Sequence, residues 1–544
     1  MRDARRVIQP RSYALALGVA LSLALLQGQT CDRGNTDLTN LEFEVDGGPD
    51  LIVGFDTLNR SYDVSTSGSP VTVRAQAVFG VNDISWQWLV GTTTIGSGPI
   101  GTGSGEVTIP TPIPDGESVL RVVVKSNQVG STASGYYTIN ITNSPWGTPK
   151  LIETDTGDAA NPQVAVDPNG DAVAVWRQHD GSVWSIYANR LTSGVWGTPA
   201  LLETGTGDAF GPQVAVDPNG DAVAVWTQYD GTIFNIYANQ MTSGVWGTPA
   251  LLETGTGDAW EPQVAVDPNG DAVAVWRQHD GSALSIYANR LTSGVWGTAA
   301  LLETDNTGHA REPQVAVDPN GDAVAVWRQF DGSAWGIYAN RMTSGVWGTP
   351  ELLETDTGHA LSPQVAVDPN GDAVAVWQQD DGSAYSIYAN RMTSGVWGTA
   401  ALLETDNAGH ADSPQVAVDP NGDAVAVWYQ SDGSARNIYA NRLVSGVWGT
   451  PELLETDRGL ASAPQVAVDP NGDGVAVWTQ SDGSVNDIYA NRLTSGVWGT
   501  AELLDTGAGT GQTPQVAVDP NGDGVAVWTQ SGGSVNDIYA NRLQ

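Results

Sequence analysis

From residue 38 onward, apolar and polar letters alternate in short runs that break at clusters of Gly, Asn, Asp, Ser and Pro. A period of two predicts strands, and the breaks predict tight turns. Pro70-Val-Thr-Val-Arg-Ala-Gln-Ala-Val and Val119-Leu-Arg-Val-Val-Val are two such runs. No useful length of chain carries the spacing of an amphipathic helix. Later runs differ: in Val164-Ala-Val and Ala172-Val-Ala-Val-Trp both alternating sides are apolar, one small and one larger. Such strands need cover on both faces, and small against large lets neighbouring sheets interlock. The chain reads as all-β.

The doubly apolar runs belong to a unit of 50 or 51 residues that occurs eight times, with Trp-Gly-Thr beginning at Trp146, Trp196, Trp246, Trp296, Trp347, Trp397, Trp448 and Trp498. A fixed long period means units that bury their apolar faces against one another. In the first unit, strands are predicted over residues 146–153, 162–167, 171–176 and 186–190. Asp167-Pro-Asn-Gly170 suits a type I turn followed by a left-handed glycine. Four short antiparallel strands in this length make one propeller blade. The last unit ends at Gln544 without a Trp-Gly-Thr strand, and the first supplies a surplus one. Joining them removes the exposed edges of an open array. The expected fold is an N-terminal β-sandwich over 38–144, then an eight-bladed β-propeller of four-stranded blades over 145–544. A shared N- and C-terminal blade closes it, and a linear β-solenoid is the alternative.

The units differ mainly at two places. One precedes the Pro-Gln strand: Ala160, Phe210, Trp260, Arg311, Leu361, Asp412, Ser462 and Gln512. The other follows the Asp-Gly-Ser turn: Trp184, Phe234, Leu284, Trp335, Tyr385, Arg436, Asn486 and Asn536. With the Pro-Gln strand innermost, both loops emerge on one face of the disc, and the uniform turns emerge on the other. Aromatic rings gather in the early units, so Trp184, Phe210, Phe234, Trp260, Trp335 and Tyr385 are the candidate ligand-binding residues. Flat rings beside polar groups suit sugar stacking or a protein loop.

The formal charge of -38 argues against nucleic acid and anionic membrane surfaces. Arg2, Arg5, Arg6 and Arg11 precede an apolar run from Tyr13 to Leu26, which reads as a signal peptide over 1–30. The sole cysteine, Cys31, follows, so no intramolecular disulfide is possible. The segment resembles a bacterial lipoprotein signal, which implies lipidation of Cys31 and a tether over 31–37. It departs from that pattern at Gly28 and Thr30. The expected location is the cell surface, outer membrane or periplasm, with a lipid anchor as the only membrane contact.

Leu38-Thr-Asn-Leu41, Phe55-Asp56 before Ser61-Tyr62, Gly116 before the Val119 strand, and Tyr137-Thr-Ile-Asn-Ile together resemble the cadherin-like β-sandwich of bacterial surface proteins. Trp86-Gln-Trp88 is similar to the core tryptophan of immunoglobulin-like sandwiches. The repeats, through Pro-Gln-Val-Ala-Val-Asp-Pro-Asn-Gly and Ile-Tyr-Ala-Asn-Arg, resemble uncharacterised propeller-like repeats of bacterial exported proteins. They lack the Gly-His and Trp-Asp marks of WD40 units and the Ser-x-Asp-x-Gly-x-x-Trp box of sialidases.

No nucleophile motif, cofactor loop or phosphate cradle occurs. Asp167, Asn169 and Asp171 have the spacing that begins a calcium loop, but the glutamate that completes an EF-hand is missing and the turn is explained by its backbone needs, so no cofactor or metal is expected, with structural calcium as the alternative. His179, His279, His309, His359 and His410 fall in the varied loops without metal-site spacing. The resulting expectation is a non-catalytic, monomeric surface module binding a carbohydrate or an extracellular protein. The alternatives are a glycoside hydrolase, with candidates Glu261, Glu312, Asp380, Asp412, Arg177, Arg277, Arg311 and Arg328, or a structural envelope spacer.

Overall fold

The computed structural model describes the strands between residues 38 and 143, and residues 146–543 apart from 155, 305–307, 356, 406–408, 456–458, 482, 506–508, 532 and 534. The expected signal peptide and Cys31 with its tether lie outside the described residues. Two units separate, Met1–Thr148 and Pro149–Gln544.

The first unit contains two sheets. One runs Leu51–Ile52, Leu38–Val45, Val71–Ala77, Ser104–Ile109. The other runs Ser61–Thr66, Ser134–Asn143, Gly116–Lys125, Asp83–Val90, Thr93–Gly101, and its first pair is parallel. Trp86 and Trp88 lie in the strand Asp83–Val90, but their side chains are outside the described residues.

The second unit is a β-propeller-type repeat fold. In the first repeat the inner strand Ala159–Val166 pairs with a second strand Ala172–His179, which pairs with a third, Trp184–Thr192. The outer edge is two short pieces, Val195–Trp196 and Ala200–Leu201, both paired with the third strand. The single extended run expected here is therefore broken. Its break is held by Gly197, whose N–H donates to Arg190 O at 2.9 Å. The inner strand begins three residues earlier than expected, the second ends three residues later and the third extends at both ends, so the varied residues Ala160 and Trp184 sit at strand ends rather than in loops.

Each inner strand packs against the next, from Ala159–Val166 to Ala209–Val216 and onward, and Thr510–Val518 packs back against Ala159–Val166. The surplus strand completes the last sheet: Lys150 and Leu151 pair with Ala540 and Tyr539. Elsewhere Ala200 and Leu201 pair with Ala188 and Tyr187, so the terminal pair uses the register of every other outer strand.

The core lies between sheets. Val173, Val175, Ile186 and Ala188 of one repeat meet Ala222, Ala224 and Trp226 of the next. The small residues make room for the indole, as close packing requires. Trp176 and its seven counterparts are fully buried and stack on the tyrosine of the third strand, at 6.5 Å between centroids for Trp176 and Tyr187.

A buried indole N–H needs an acceptor. Trp176 Nε1 donates to Gln178 Oε1 at 2.9 Å, and Gln178 Nε2 donates to Glu153 Oε2 at 2.8 Å, crossing to the outer strand of the neighbouring sheet. Asn189 Nδ2 crosses the same boundary to Ile152 O at 2.8 Å. The asparagine staple recurs at all eight interfaces and the glutamine-to-glutamate staple at seven, and together they account for the repeated Trp-x-Gln, Leu-Glu and Ala-Asn-Arg phrases.

Substituting Gln278 by Leu strands the Trp276 N–H and leaves the buried Glu253 carboxylate with only the Gly255 N–H as its donor among the described residues. Chemical denaturation of Gln278→Leu is expected to show a loss of about 2–4 kcal/mol.

Asp537 occupies a third-strand position that is Ser185, Ser285 or Ser386 in other repeats, and it hydrogen-bonds Glu153. Burial is the largest influence and pushes its carboxyl up; the Glu153 bond opposes this, and the Asp158 charge adds to it. A raised folded-state pKa gives stability that is complete below the unfolded value and is lost as pH rises through the folded one. Asp537→Asn is therefore expected to raise the Tm at pH 7 by about 1–3 °C, a gain that shrinks on acidification towards pH ~4.

Candidate functional site

The varied residues lie around the opening of the inner strands. Every inner strand has a bulge there, between Ala160 and Gln163 in the first repeat. The proline at its centre has no N–H to leave unpaired, which suits a bulge. The residue before it has a left-handed backbone in every repeat: Asn161, Gly211, Glu261, Glu312, Ser362, Ser413, Ala463 and Thr513, with φ between 50 and 57°. For the seven that are not glycine this costs on the order of 1 kcal/mol each.

The bulges of three repeats are linked. Glu312 N–H donates to Glu261 Oε2 at 3.1 Å, and Ser362 N–H donates to Glu312 Oε2 at 3.0 Å. The second oxygen of each carboxylate holds an arginine of its own repeat: Arg277 at 3.0 Å from Glu261, Arg328 at 2.7 Å from Glu312.

These arginines belong to a third varied row: Arg177, Thr227, Arg277, Arg328, Gln378, Tyr429, Thr479 and Thr529. Each sits directly across from the varied residue of the inner strand, as Trp260 faces Arg277 and Arg311 faces Arg328. Sequence reasoning named three of them but missed the row. Its signal was the single free letter in Val-Trp-x-Gln.

The structure brings most of the predicted aromatic residues together, all half-buried. Phe234 contacts Trp260 at 3.9 Å and Phe210 at 6.2 Å between centroids. Arg177 lies 4.5 Å over Trp184 and 5.6 Å over Phe210, joining them by cation–π contact. Trp335 is flanked by Arg328 at 4.6 Å and Arg311 at 5.7 Å. Tyr385 is set apart from these and contacts His410. The band thus runs from Trp184 through Arg177, Phe210 and Phe234 to Trp260, with Trp335 one repeat further.

Burial pulls the Arg177 guanidinium below its ordinary value, and it is also the largest influence on Arg277. Further round the rim, Tyr429 donates to Asp412 Oδ2 at 2.9 Å, with Arg436 over its ring at 5.6 Å. Burial, then the Asp412 charge, pushes this phenol up to about 12, so it keeps its proton at neutral pH.

The histidines have local duties. His309, His359 and His410 accept the N–H of Leu284, Trp335 and Tyr385 through Nδ1, as Asp208 accepts that of Trp184. His179 and His279 accept from the glycine two residues on. On the uniform side, Asp167 Oδ1 accepts the N–H of Asn169 and of Asp171, closing the turn on itself. Among the described residues, no group of three or more His, Cys, Asp or Glu is placed to hold a metal ion.

No family model and no curated protein matches the chain. Solved structures similar to it include a protein of unknown function from Dyadobacter fermentans (16% identity, 73% of this chain, 97% of that chain, TM-score 0.37). An ulvan lyase, a polysaccharide lyase, is similar at 9% identity over 71% of this chain and 94% of that one, with a TM-score of 0.43. The α-L-arabinanase of Penicillium chrysogenum is similar at 14% identity over 52% and 93%, with a TM-score of 0.35. Likeness at this level leaves the activity of the chain to be read from its own residues.

Proposed function

We propose that residues 145–544 form an eight-bladed propeller whose varied rim binds carbohydrate. The eight blades are supported by the circuit of inner strands and by the terminal pairing of Lys150 and Leu151. The binding reading is carried by one observation: indole and phenyl rings form a half-exposed band along the rim, interleaved with guanidinium groups. Sugars present apolar C–H faces that stack on such rings and hydroxyls that pair with fixed donors.

A second reading, a glycan-active enzyme, is favoured by the Asp412–Tyr429–Arg436 group. It offers a carboxylate, a protonated phenol and a cation within one repeat. Proton transfer by such positioned groups is the usual contribution of side chains to glycosidic bond cleavage.

Export through residues 1–30, lipidation at Cys31 and a cadherin-like sandwich over 38–144 complete the proposal. They would present the propeller outside the cytoplasm. The basic and apolar order of residues 2–26, the position of Cys31, and the strand-rich segment after it support this arrangement.

The full chain is expected to be retained on a glycan array. Replacing Trp184, Trp260 and Trp335 together by Ala should reduce retention by at least about 100-fold, taking roughly 1 kcal/mol per stacked ring. Unchanged retention with an intact fold rejects the binding reading. Under the enzymatic reading, retained glycan is also cleaved, and Asp412→Asn is expected to slow cleavage by about 100-fold while leaving retention intact.

A further inference from the structure

Resting on the carbohydrate reading and deepening it, we infer that the rim of the third and fourth repeats is a subsite for the carboxylate of a uronate-bearing oligosaccharide, held by Arg277, Arg311 and Arg328. Arg311 and Arg328 are direct cross-strand partners. Like charges so placed oppose each other unless an anion lies between or beside them. Arg277 and Arg328 each hold a glutamate, whereas Arg311 has no ion pair among the described residues. Three guanidinium groups against two carboxylates leave one surplus positive charge, in a chain of net charge -38.

The donors are not exhausted by these contacts. The Nε atoms of Arg277, Arg311 and Arg328 are buried and lack a hydrogen-bond partner. A buried donor without an acceptor is costly. The planar fork of arginine matches a carboxylate with two parallel N–H bonds, which lysine cannot reproduce. Burial, the largest influence, lowers the proton affinity of Arg277; Glu261 opposes it, and Arg311 reinforces it. Glu312 opposes it too and Arg328 adds to it, so the two carboxylates balance two of the three guanidinium groups and an added anion would answer the third.

The surroundings select a sugar over a bare anion. Trp260 stands directly across from Arg277, and Trp335 lies against both Arg311 and Arg328. A uronate carries its carboxylate on a ring whose C–H face can stack on an indole while the charge meets the guanidinium groups. The acidity of the whole chain disfavours non-specific attraction of polyanions, so tight binding of one would require a local site.

The test titrates the full chain with oligogalacturonate, a neutral galactan oligosaccharide of the same length, a sulfated galactan oligosaccharide and polyglutamate. Oligogalacturonate is expected to bind at least about tenfold more tightly than the neutral chain and to weaken with salt. Arg311→Gln should lose that tenfold towards oligogalacturonate and nothing towards the neutral chain. If this variant fails to fold, Arg311→Lys, which keeps the charge but not the fork, should still lose several-fold. Equal affinity for charged and neutral chains overturns the subsite, as does an Arg311 substitution without effect. Polyglutamate bound as tightly as oligogalacturonate overturns the sugar assignment, and the sulfated chain bound as tightly overturns the carboxylate assignment. Neutral-chain binding that the triple tryptophan replacement abolishes would leave the carbohydrate reading standing even if the subsite falls. Binding of no glycan at all ends both.

Discussion

The chain from Trp176 through Gln178 to Glu153 is the interaction on which the rest of the second unit depends. Each sheet is buried on both faces, so the indole that fills the gap carries its N–H into a place without water. The amide oxygen of Gln178 accepts the indole N–H, and its amide nitrogen donates to a carboxylate from the adjacent sheet. Three residues from two sheets must fit at once, and changing any one exposes an unsatisfied group to a low dielectric. This explains why the repeats are nearly identical along their strands. Asp505 shows the tolerance: one carbon shorter than glutamate, it stands at the eighth interface and accepts the Ile488 N–H at 3.1 Å.

The same constraint decides where the repeats can differ. Between Trp176 and Gln178 lies Arg177, which faces away from the relay and is only half-buried. The uniform side has no comparable freedom. There Asp171 receives the Ser193 N–H and pairs with Arg190, while Asp167 closes its own turn. Polar side chains on that side are bound to backbone that every repeat needs. Variation thus gathers on one side, at the strand ends and at the one free position of the second strand.

The repeat period, the four-strand order and the shared terminal sheet were legible because they follow from letters alone: period, turn residues and a strand missing at one end but surplus at the other. The first two places of variation were legible for the same reason. The arginine row was hidden because a single free letter inside an invariant strand looks like drift until pairing shows Arg277 across from Trp260. The break in the outer strand was illegible as well, since Trp-Gly-Thr-Pro reads as continuous extended chain. What interrupts it is a contact between Gly197 and Arg190 that no local pattern announces. The roles of the histidines were equally hidden, because His309, His359 and His410 substitute for aspartate as backbone acceptors.

The bulge before each Pro-Gln pair connects this economy of variation to function. A left-handed residue is cheap only for glycine, yet Gly211 is the sole glycine among the eight positions. Seven repeats accept strain so that a side chain can stand at the rim, and the packed inner strands on either side hold it there. The backbone of the rim is therefore the same whichever residue it carries, as φ between 50 and 57° for Asn, Gly, Glu, Ser, Ala and Thr shows. Ligand chemistry can then change by substitution alone, with no adjustment of the fold. The Glu261–Glu312–Ser362 linkage goes one step further: where charged residues occupy adjacent bulges, each carboxylate fixes the next repeat's backbone and its own repeat's arginine together. Orienting groups that are themselves held by the scaffold are what a specific polar site requires, and on this rim they coincide with the arginines and indoles of the third and fourth repeats.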